Sequence, residues 1–251
     1  MAKQKVIDFA RIKTSCSSCS LHDLCLPRGL TQENLEQLDS LVDRTQPLHQ
    51  GDYLFRAGDK FQQLYAVRSG SVKLCMTSES GEEQIIGFYF PGEIIGLDAI
   101  DQQFHSSSAV VMETSTFCAL PFRKLIDLCI DLPDLNYQMM RLMSHELSEG
   151  NELLLTLCKK NADEKIATFL VSISGRLKRL GYSSSEFRLN MSRQEIGNYL
   201  GLTLETVSRI LNKFQRSNII LIDHKLVKIK QAEKLAQLSS CSRGSAGEQT
   251  A

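Results

Sequence analysis

The chain has 251 residues, with 29 Lys+Arg against 29 Asp+Glu, and it contains eight cysteines but no tryptophan. An apolar fraction of 42% with 23% charged residues is typical of folded globular domains and excludes a disordered chain. No run approaches the 18 apolar residues of a membrane span, and the N-terminus has no apolar signal segment. We therefore expect a cytoplasmic protein without a membrane partner, whose cysteines indicate metal or redox chemistry rather than disulfides.

The neutral total hides an asymmetry between the two parts of the chain. Residues 159–243 contain 16 Lys/Arg and 7 Asp/Glu, a net charge of +9, so the remainder carries −9. Opposite charges in the two parts predict two domains with different partners, one of them a polyanion.

Five segments follow one another along the chain. Residues 1–28 are cysteine-rich, and residues 29–130 open with an amphipathic helix, Thr31 to Val42, before short Val/Ile/Tyr/Phe runs separated by turn glycines. Such runs predict an antiparallel roll, barrel or sandwich, in which Ser80-Gly81 is a hairpin tip. Residues 131–160 form a long helix, residues 161–238 are the basic region, and residues 239–251 are a small polar tail expected to be disordered, in which Cys241 has no role.

The long helix begins at Asp131-Leu-Pro133-Asp134, since proline and acidic residues suit a first helical turn. Its apolar residues have heptad-like spacing, which indicates either burial against its own domain or a two-helix dimer contact. We favour a homodimer because acidic residues flank a narrow seam. The predicted dimer residues are Met139, Met143, Leu147, Gly150, Leu154 and Leu157.

Residues 191–230 predict a winged helix-turn-helix. Ser192 and Glu195 form a capping box, Gly201 permits the turn, and Thr203 caps a second helix from Leu204 to Gln215. Residues 219–222 and 225–230 are two strands around a tight turn, which makes a wing.

In such a unit the early, outward residues of the second helix contact base edges in the major groove of double-stranded DNA. Here these residues are Glu205, Ser208 and Arg209. Basic and hydroxyl residues nearby are suited to the phosphates: Thr206, Lys213, Arg216 and Lys225. An ordinary three-helix packing unit is the alternative, but it leaves the caps, the wing and the +9 charge unexplained.

The segment from Met191 to Phe214, MSRQEIGNYLGLTLETVSRILNKF, resembles the helix-turn-helix of the CRP/FNR superfamily of bacterial regulators. The glycine-punctuated roll and the long helix match the same architecture. The resemblance implies an α+β chain with an N-terminal antiparallel β-roll like a cyclic-nucleotide-binding jelly roll, a dimerisation helix and a C-terminal winged helix-turn-helix. It also implies no enzymatic activity.

The cyclic-nucleotide branch of that superfamily needs a ligand-binding Glu and an Arg-Ser pair that binds the phosphate. Leu97 stands at the expected Glu position, and no arginine lies between Arg68 and Arg123. A buried phosphate would lack its bidentate partner, so we expect no cyclic nucleotide.

Cys16, Cys19 and Cys25 form a C-x2-C-x5-C loop, one thiolate short of the set that holds an iron–sulfur cluster. From the residues alone Cys118 ranks only slightly above Cys75 as the fourth, since Cys75, Cys129 and Cys158 have the apolar neighbours of buried thiols. A structural zinc site is the alternative.

The four positions Cys16, Cys19, Cys25 and Cys118 match the cluster ligands of the oxygen-responsive FNR type. That resemblance implies one [4Fe–4S] cluster per subunit, which oxygen converts to [2Fe–2S] while the dimer weakens. Ser20 and Leu24 would then tune oxygen access.

The same resemblance implies a TTGAT-type inverted repeat read by Glu205, Ser208 and Arg209, with activation or repression of genes of anaerobic metabolism. It also implies that RNA polymerase contacts the hairpin from Thr77 to Gln84 through Thr77, Gly81 and Glu82; a plain solvated hairpin is equally compatible with the sequence. A redox electron carrier would use the same cysteines but would leave residues 191–230 without a purpose.

Overall fold

The computed structural model describes residues 15–240. Its N-terminal part is a roll of two four-stranded antiparallel sheets, with strand orders β1-β8-β3-β6 and β2-β7-β4-β5. The strands of the roll are β1 (Asp43–Arg44), β2 (Tyr53–Phe55), β3 (Gln63–Ser69), β4 (Val72–Thr77), β5 (Glu83–Tyr89), β6 (Ile94–Ile95), β7 (Ser108–Val111) and β8 (Thr116–Pro121).

The two sheets pack face to face because their strands place apolar side chains on the inner faces. The inner layer includes Val67 on β3, Val72 on β4 and Phe117 on β8, all fully buried. Gly70 makes the sharp turn between β3 and β4 with φ +85°. Its hydrogen faces the Ser115 side chain, and a Cβ there would stand 2.8 Å from the Ser115 Cα.

Seven α-helices complete the described chain. They are α1 (Gln32–Leu41), α2 (Phe122–Asp131), α3 (Pro133–Lys159), α4 (Ala162–Arg179), α5 (Arg193–Leu200), α6 (Leu204–Arg216) and α7 (Ala232–Ser239). Thr31 caps α1 by accepting from the Asn34 N–H. None of these helices within residues 15–240 combines the length and the apolar character that crossing a membrane requires.

The long helix α3 begins with Pro133 in its first turn and buries one side of its N-terminal half. Leu135 and Met139 lie in the core of their own chain, so the placement of Met139 on the dimer seam was wrong. The heptad spacing predicts that a position is apolar, but it does not predict which neighbour covers it. Leu157 is half-buried.

An exposed apolar stripe does run along α3. Of the predicted seam, Met143, Leu147 and Leu154 are exposed, and Gly150 has no atom within 4 Å of an added Cβ. Tyr137 and Met140, which the sequence analysis did not select, extend the stripe toward the N-terminal end.

The C-terminal part is a helix-turn-helix with a three-stranded wing. The wing strands are β9 (Glu186–Arg188), β10 (Ile220–Asp223) and β11 (Leu226–Ile229), in the order β10-β11-β9. Helix α4 packs behind the unit through Ile166 and Leu170, both fully buried. The elements α2, α4, β9 and α7 were not foreseen individually, whereas the α+β fold of roll, long helix and winged helix-turn-helix is confirmed.

The turn at Gly70 provides a direct test of the roll. We expect Gly70→Ala to lower the free energy of unfolding by about 2–5 kcal/mol, because a positive φ is costly for alanine and the new methyl group overlaps Ser115. Gly51→Ala is the matched control, since Gly51 has φ +90° and open space around it. It should lose only about 1–2 kcal/mol. Urea unfolding followed by circular dichroism measures both values, and equal losses would contradict the role given to Ser115.

Candidate functional site

The cysteine loop is a compact turn fixed to the roll. A short 3₁₀ helix covers Cys16–Ser18, and the Cys25 N–H donates to the Leu21 carbonyl at 3.0 Å. The Cys16 N–H donates to Asp39 Oδ1 at 2.9 Å, and the same oxygen accepts from Arg44 at 2.6 Å. The Asp39–Arg44 ion pair therefore joins the loop to α1 and β1.

The four cysteines that the sequence singled out line one cavity. Cys16, Cys19 and Cys25 approach it from the loop, and Cys118 approaches it from β8. The rest of its wall is largely apolar: Leu21, Leu26, Pro27, Leu38, Val42, Ala66, Val67 and Leu120, with His22 and Arg68 as the polar members. The spacing of the loop cysteines could not indicate this convergence, because Cys118 is far away in the sequence.

Burial governs the protonation of three of the cavity thiols, those of Cys16, Cys25 and Cys118. It raises the pKa of Cys25 to about 12, and burial together with a hydrogen bond to Asp39 raises the pKa of Cys16 to about 12. Burial also raises the pKa of Cys118, although Arg44 and Arg68 oppose this increase. Cys16, Cys25 and Cys118 are therefore neutral thiols as they stand, and the thiolate form that ligates metals needs additional positive charge beside it.

Within residues 15–240, no three His, Cys, Asp or Glu side chains are arranged to hold a single metal ion as they stand. The chemistry of the donor set nevertheless fits a thiolate-bound centre, because four sulfur donors face an apolar cavity. That set suits iron–sulfur clusters or zinc and does not suit the hard cations that prefer oxygen ligands.

The other cysteines are placed differently. Cys75 and Cys129 are buried, as expected, but Cys158 is exposed near the end of α3, so its placement in a core was wrong. Thr156, two residues earlier, is the position that faces inward there. Cys241 lies outside the described residues.

Of the two residues proposed to tune access, neither lines the cysteine cavity. Ser20 is exposed, and Leu24 packs against Gly92, where an added Cβ would stand 3.0 Å from the Leu24 Cβ. Leu21 and Leu26 occupy the wall instead. The sequence offered no signal that distinguishes these leucines from Leu24.

The helix-turn-helix is held by local capping. The Glu195 N–H donates to Ser192 Oγ at 3.1 Å, and the Ser192 N–H donates to Glu195 Oε2 at 2.8 Å. Gly201 ends α5 with φ +62°, and Thr203 caps α6. Gly197 lets the turn approach closely, since a Cβ there would stand 2.6 Å from the Leu202 carbonyl oxygen.

These caps leave one face of α6 toward solvent. Glu205 and Arg209 are exposed on it, while Ser208 is half-buried and receives a 3.3 Å hydrogen bond from Arg193. Thr206 is half-buried, and Arg216 is exposed. The arrangement presents the side chains predicted to read bases on one accessible surface.

Two predicted phosphate ligands have different surroundings. Lys213 donates to Asp163 Oδ2 at 2.6 Å, so a carboxylate at the start of α4 already neutralises it. Lys225 is exposed in the wing turn beside His224, which has φ +53°.

The hairpin between β4 and β5 is joined at its base to α5. Gly81 turns its tip with φ +83°, and Thr77 and Glu82 are exposed. The Ile85 N–H donates to Asn198 Oδ1 at 2.6 Å, and Asn198 Nδ2 donates to the Glu83 carbonyl at 2.7 Å. The predicted polymerase-contacting hairpin is thus bonded to the helix-turn-helix.

A half-buried ionic cluster connects the roll, α3 and α4; it is formed by Tyr89, Glu93, Glu146, Glu149 and Arg176. Arg176 lies 3.1 Å from Glu93 and 3.9 Å from Glu149, and the Tyr89 hydroxyl donates to Glu146 at 3.0 Å. Burial raises the pKa of Glu93 and of Glu146 above the ordinary value for a glutamate.

Two family models match the chain: a cyclic nucleotide-binding domain over residues 45–131 and a Crp-like helix-turn-helix domain over residues 164–238. The transcriptional activator protein Anr of Pseudomonas protegens is 47% identical over 230 residues, which covers 92% of this chain and 94% of Anr. The fumarate and nitrate reduction regulatory protein of Escherichia coli K12 is 45% identical over 228 residues, covering 91% of each chain.

Among solved structures, FixK2 from Bradyrhizobium japonicum is similar with a TM-score of 0.73 and 24% identity, covering 80% of this chain and 98% of FixK2. A CooA variant from Carboxydothermus hydrogenoformans gives a TM-score of 0.65 at 20% identity, covering 80% of this chain and 89% of CooA. At these identities the likeness concerns the fold.

The ionic cluster predicts a pH dependence. A carboxyl group whose pKa is higher in the folded chain stabilises the fold at low pH, and that contribution is lost as pH rises above its ordinary value of 4.5. Between pH 5 and 7.5 the free energy of unfolding should therefore fall less in Glu146→Gln than in the wild type, by on the order of 1 kcal/mol. Thermal melts across this range measure it. Glu152→Gln, exposed on the same helix, is the control and should leave the pH profile unchanged; identical profiles for both variants would contradict this role of Glu146.

Proposed function

The chain belongs to the CRP/FNR family of transcription regulators, and on that premise we propose that it senses oxygen through a [4Fe–4S] cluster. Cys16, Cys19, Cys25 and Cys118 would hold it. The observation that carries the proposal is the convergence of these four thiols, from one loop and one strand, on a single apolar cavity.

When bound, such a cluster would supply an oxygen-labile link between the loop and β8. The chain provides the neighbours of that link. Cys16 and Cys25 pack against the same apolar cluster as Leu135 and Met139 of α3, so the position of the loop is coupled by packing to the long helix. Arg44 and Arg68 place positive charge beside Cys118, which favours its thiolate form.

We propose that the protein acts as a homodimer through the exposed stripe of α3. Met143, Leu147 and Leu154 are its apolar members from the predicted seam, Tyr137 and Met140 extend it, and a partner helix would cover an exposed stripe of this kind. Gly150 adds no side chain to the seam, which keeps the contact weak and therefore sensitive to the state of the cysteine loop.

For DNA we propose a TTGAT-type inverted repeat, with half-sites about one helical turn apart as a two-fold dimer requires. Arg209 would pair both acceptors of a guanine, and Glu205 and Ser208 would contact neighbouring bases. The exposed face of α6 supports this assignment. Thr206, Lys213, Arg216 and Lys225 would bind phosphates.

The remaining assignments follow from the family. The hairpin residues Thr77, Gly81 and Glu82 would contact RNA polymerase, and the protein would act in the cytoplasm on genes of anaerobic metabolism. With Leu97 at the position of the nucleotide-binding Glu, cyclic nucleotide should not raise its affinity for the operator.

Metal analysis tests the cluster. Protein purified without oxygen should contain about four iron and four sulfide per chain and bleach in air. Cys118→Ser should lose the iron and sulfide, whereas Cys129→Ser, which removes a buried thiol outside the cavity, should keep them. One zinc per chain with no sulfide would contradict the cluster proposal and indicate a structural zinc site instead.

Binding to operator variants tests the reading helix. Arg209→Ala should cost about 1–3 kcal/mol of discrimination at the paired guanine, because the bidentate contact is lost. Arg188→Ala is the control, since it removes an exposed arginine of β9. At most it should weaken binding to all operator variants by the same factor. A preference at that guanine which survives Arg209→Ala would remove this residue from the base-reading set.

A further inference from the structure

An open cleft lies where the cysteine loop, the roll, α3 and α4 meet, and none of the proposed functions uses it. Its volume is about 430 Å³, a size typical of sites that hold small organic molecules. The loop contributes Arg28, the roll contributes residues 91–94, α3 contributes Arg141 and the turns that follow it, and α4 contributes Arg179 at its end. Ligand sites occur preferentially at such junctions between domains.

The cleft lies outside the interior of the roll. The two residues of β6 show this, because neighbouring side chains of a strand point to opposite faces of the sheet. Ile95 packs in the inner layer with Val72 and Phe117. Ile94 packs on the other face, in the cluster shared with the cysteine loop and α3, and it lines the cleft. A ligand in the cleft would therefore contact the outer face of this sheet at its edge strand, β6.

Arginines from three different elements line the cleft: Arg28, Arg141 and Arg179. Within residues 15–240 none of the three forms an ion pair with a carboxylate, and of their side chains only that of Arg141 donates a hydrogen bond, to Gln138 at 2.8 Å. A guanidinium presents a planar fork of N–H donors that matches the oxygens of a phosphate or a carboxylate. Most of these donors are therefore available to an anion that enters the cleft.

Acidic side chains do not cancel this charge. Asp23, Glu93 and Glu146 also line the cleft, where they stand against four arginines, the fourth being Arg176. Arg176 is paired with Glu93 at 3.1 Å. Burial raises the pKa of Glu93 and of Glu146 above the ordinary value for a glutamate, so these carboxyl groups carry less negative charge than exposed ones would. The cleft therefore has an excess of positive charge.

The rest of the wall is largely apolar, with Leu24, Ile94, Leu97, Leu142 and Leu180 as members. We propose that the cleft binds a small organic phosphate. Arg28, Arg141 and Arg179 supply the donors to its phosphoryl oxygens, and its organic part packs on the leucines. A phosphoryl group suits them because it offers several acceptor oxygens and more than one negative charge. The ligand would join the cysteine loop to α3 and α4, which gives the regulator a second chemical input; that role rests on the proposed function, whereas the binding does not.

An NMR titration of the full-length chain with phenyl phosphate tests the site, because this probe joins a phosphoryl group to an apolar ring. Inorganic phosphate should displace the probe only at about tenfold higher concentration, since it lacks the ring that buries apolar surface. Arg179→Gln should weaken binding of the probe about tenfold or more, because a charged hydrogen-bond donor is lost. Lys178→Gln is the matched control: it removes an exposed charge from the same turn of α4, outside the cleft, and should leave binding unchanged.

Two further variants locate the probe. Arg28→Gln, on the cysteine loop, should weaken binding as Arg179→Gln does, because both side chains line one cleft. Arg209→Ala, on the exposed face of α6, should bind the probe as the wild type does. Iron and sulfide measured on the same samples separate failure of the cluster from failure of this site. No saturable binding, equal losses in Arg179→Gln and Lys178→Gln, or a loss confined to Arg209→Ala would overturn the proposal.

Discussion

One apolar cluster joins the cysteine loop to the first sheet of the roll and to the first turns of α3. Leu26 from the loop, Leu64 from β3 and Leu135 from α3 are all fully buried in it, and Cys16, Cys25 and Cys118 pack at its edge. Since the interior of a protein is close-packed, a displaced loop must move either the sheet or the helix. The exposed stripe lies farther along the same helix, so α3 links the cysteine loop to the surface proposed for the dimer contact.

The C-terminal domain is attached to the opposite side of the roll by a different kind of contact. Phe88 of β5 packs against Phe169 and Tyr199, while Asn198 and Arg176 bond to the backbone of β5 or its hairpin. Apolar packing gives this interface its strength, and the half-buried ionic cluster gives it a defined geometry. The DNA-reading helix and the hairpin of the roll are consequently held in a fixed relation.

Local signals in the sequence were sufficient to predict the helices and the turn of the helix-turn-helix. Caps and turn glycines act within a few residues, so Ser192, Gly201 and Thr203 could be placed before any tertiary contact was known. Helix α4 carries the same signals, an Asn161–Glu164 capping box and apolar residues at helical spacing, and could have been found in this way. By contrast, the burial of Met139 and the exposure of Cys158 depend on which segments cover each side of α3. Packing between distant parts of the chain decides this, so local signals could not predict it. The meeting of Cys118 with the loop is of the same kind.

The ion pair between Lys213 and Asp163 has a consequence for how the protein responds to salt. When a lysine without an acidic partner binds a DNA phosphate, the cation that had accompanied the phosphate is released into solution. Each released ion makes the affinity for DNA fall more steeply with ionic strength. Under the proposed phosphate contact, Lys213 would exchange the Asp163 carboxylate for a phosphate, and the released Asp163 would attract a cation from solution. The affinity for DNA should therefore fall less steeply with salt than the number of basic side chains on this surface would predict.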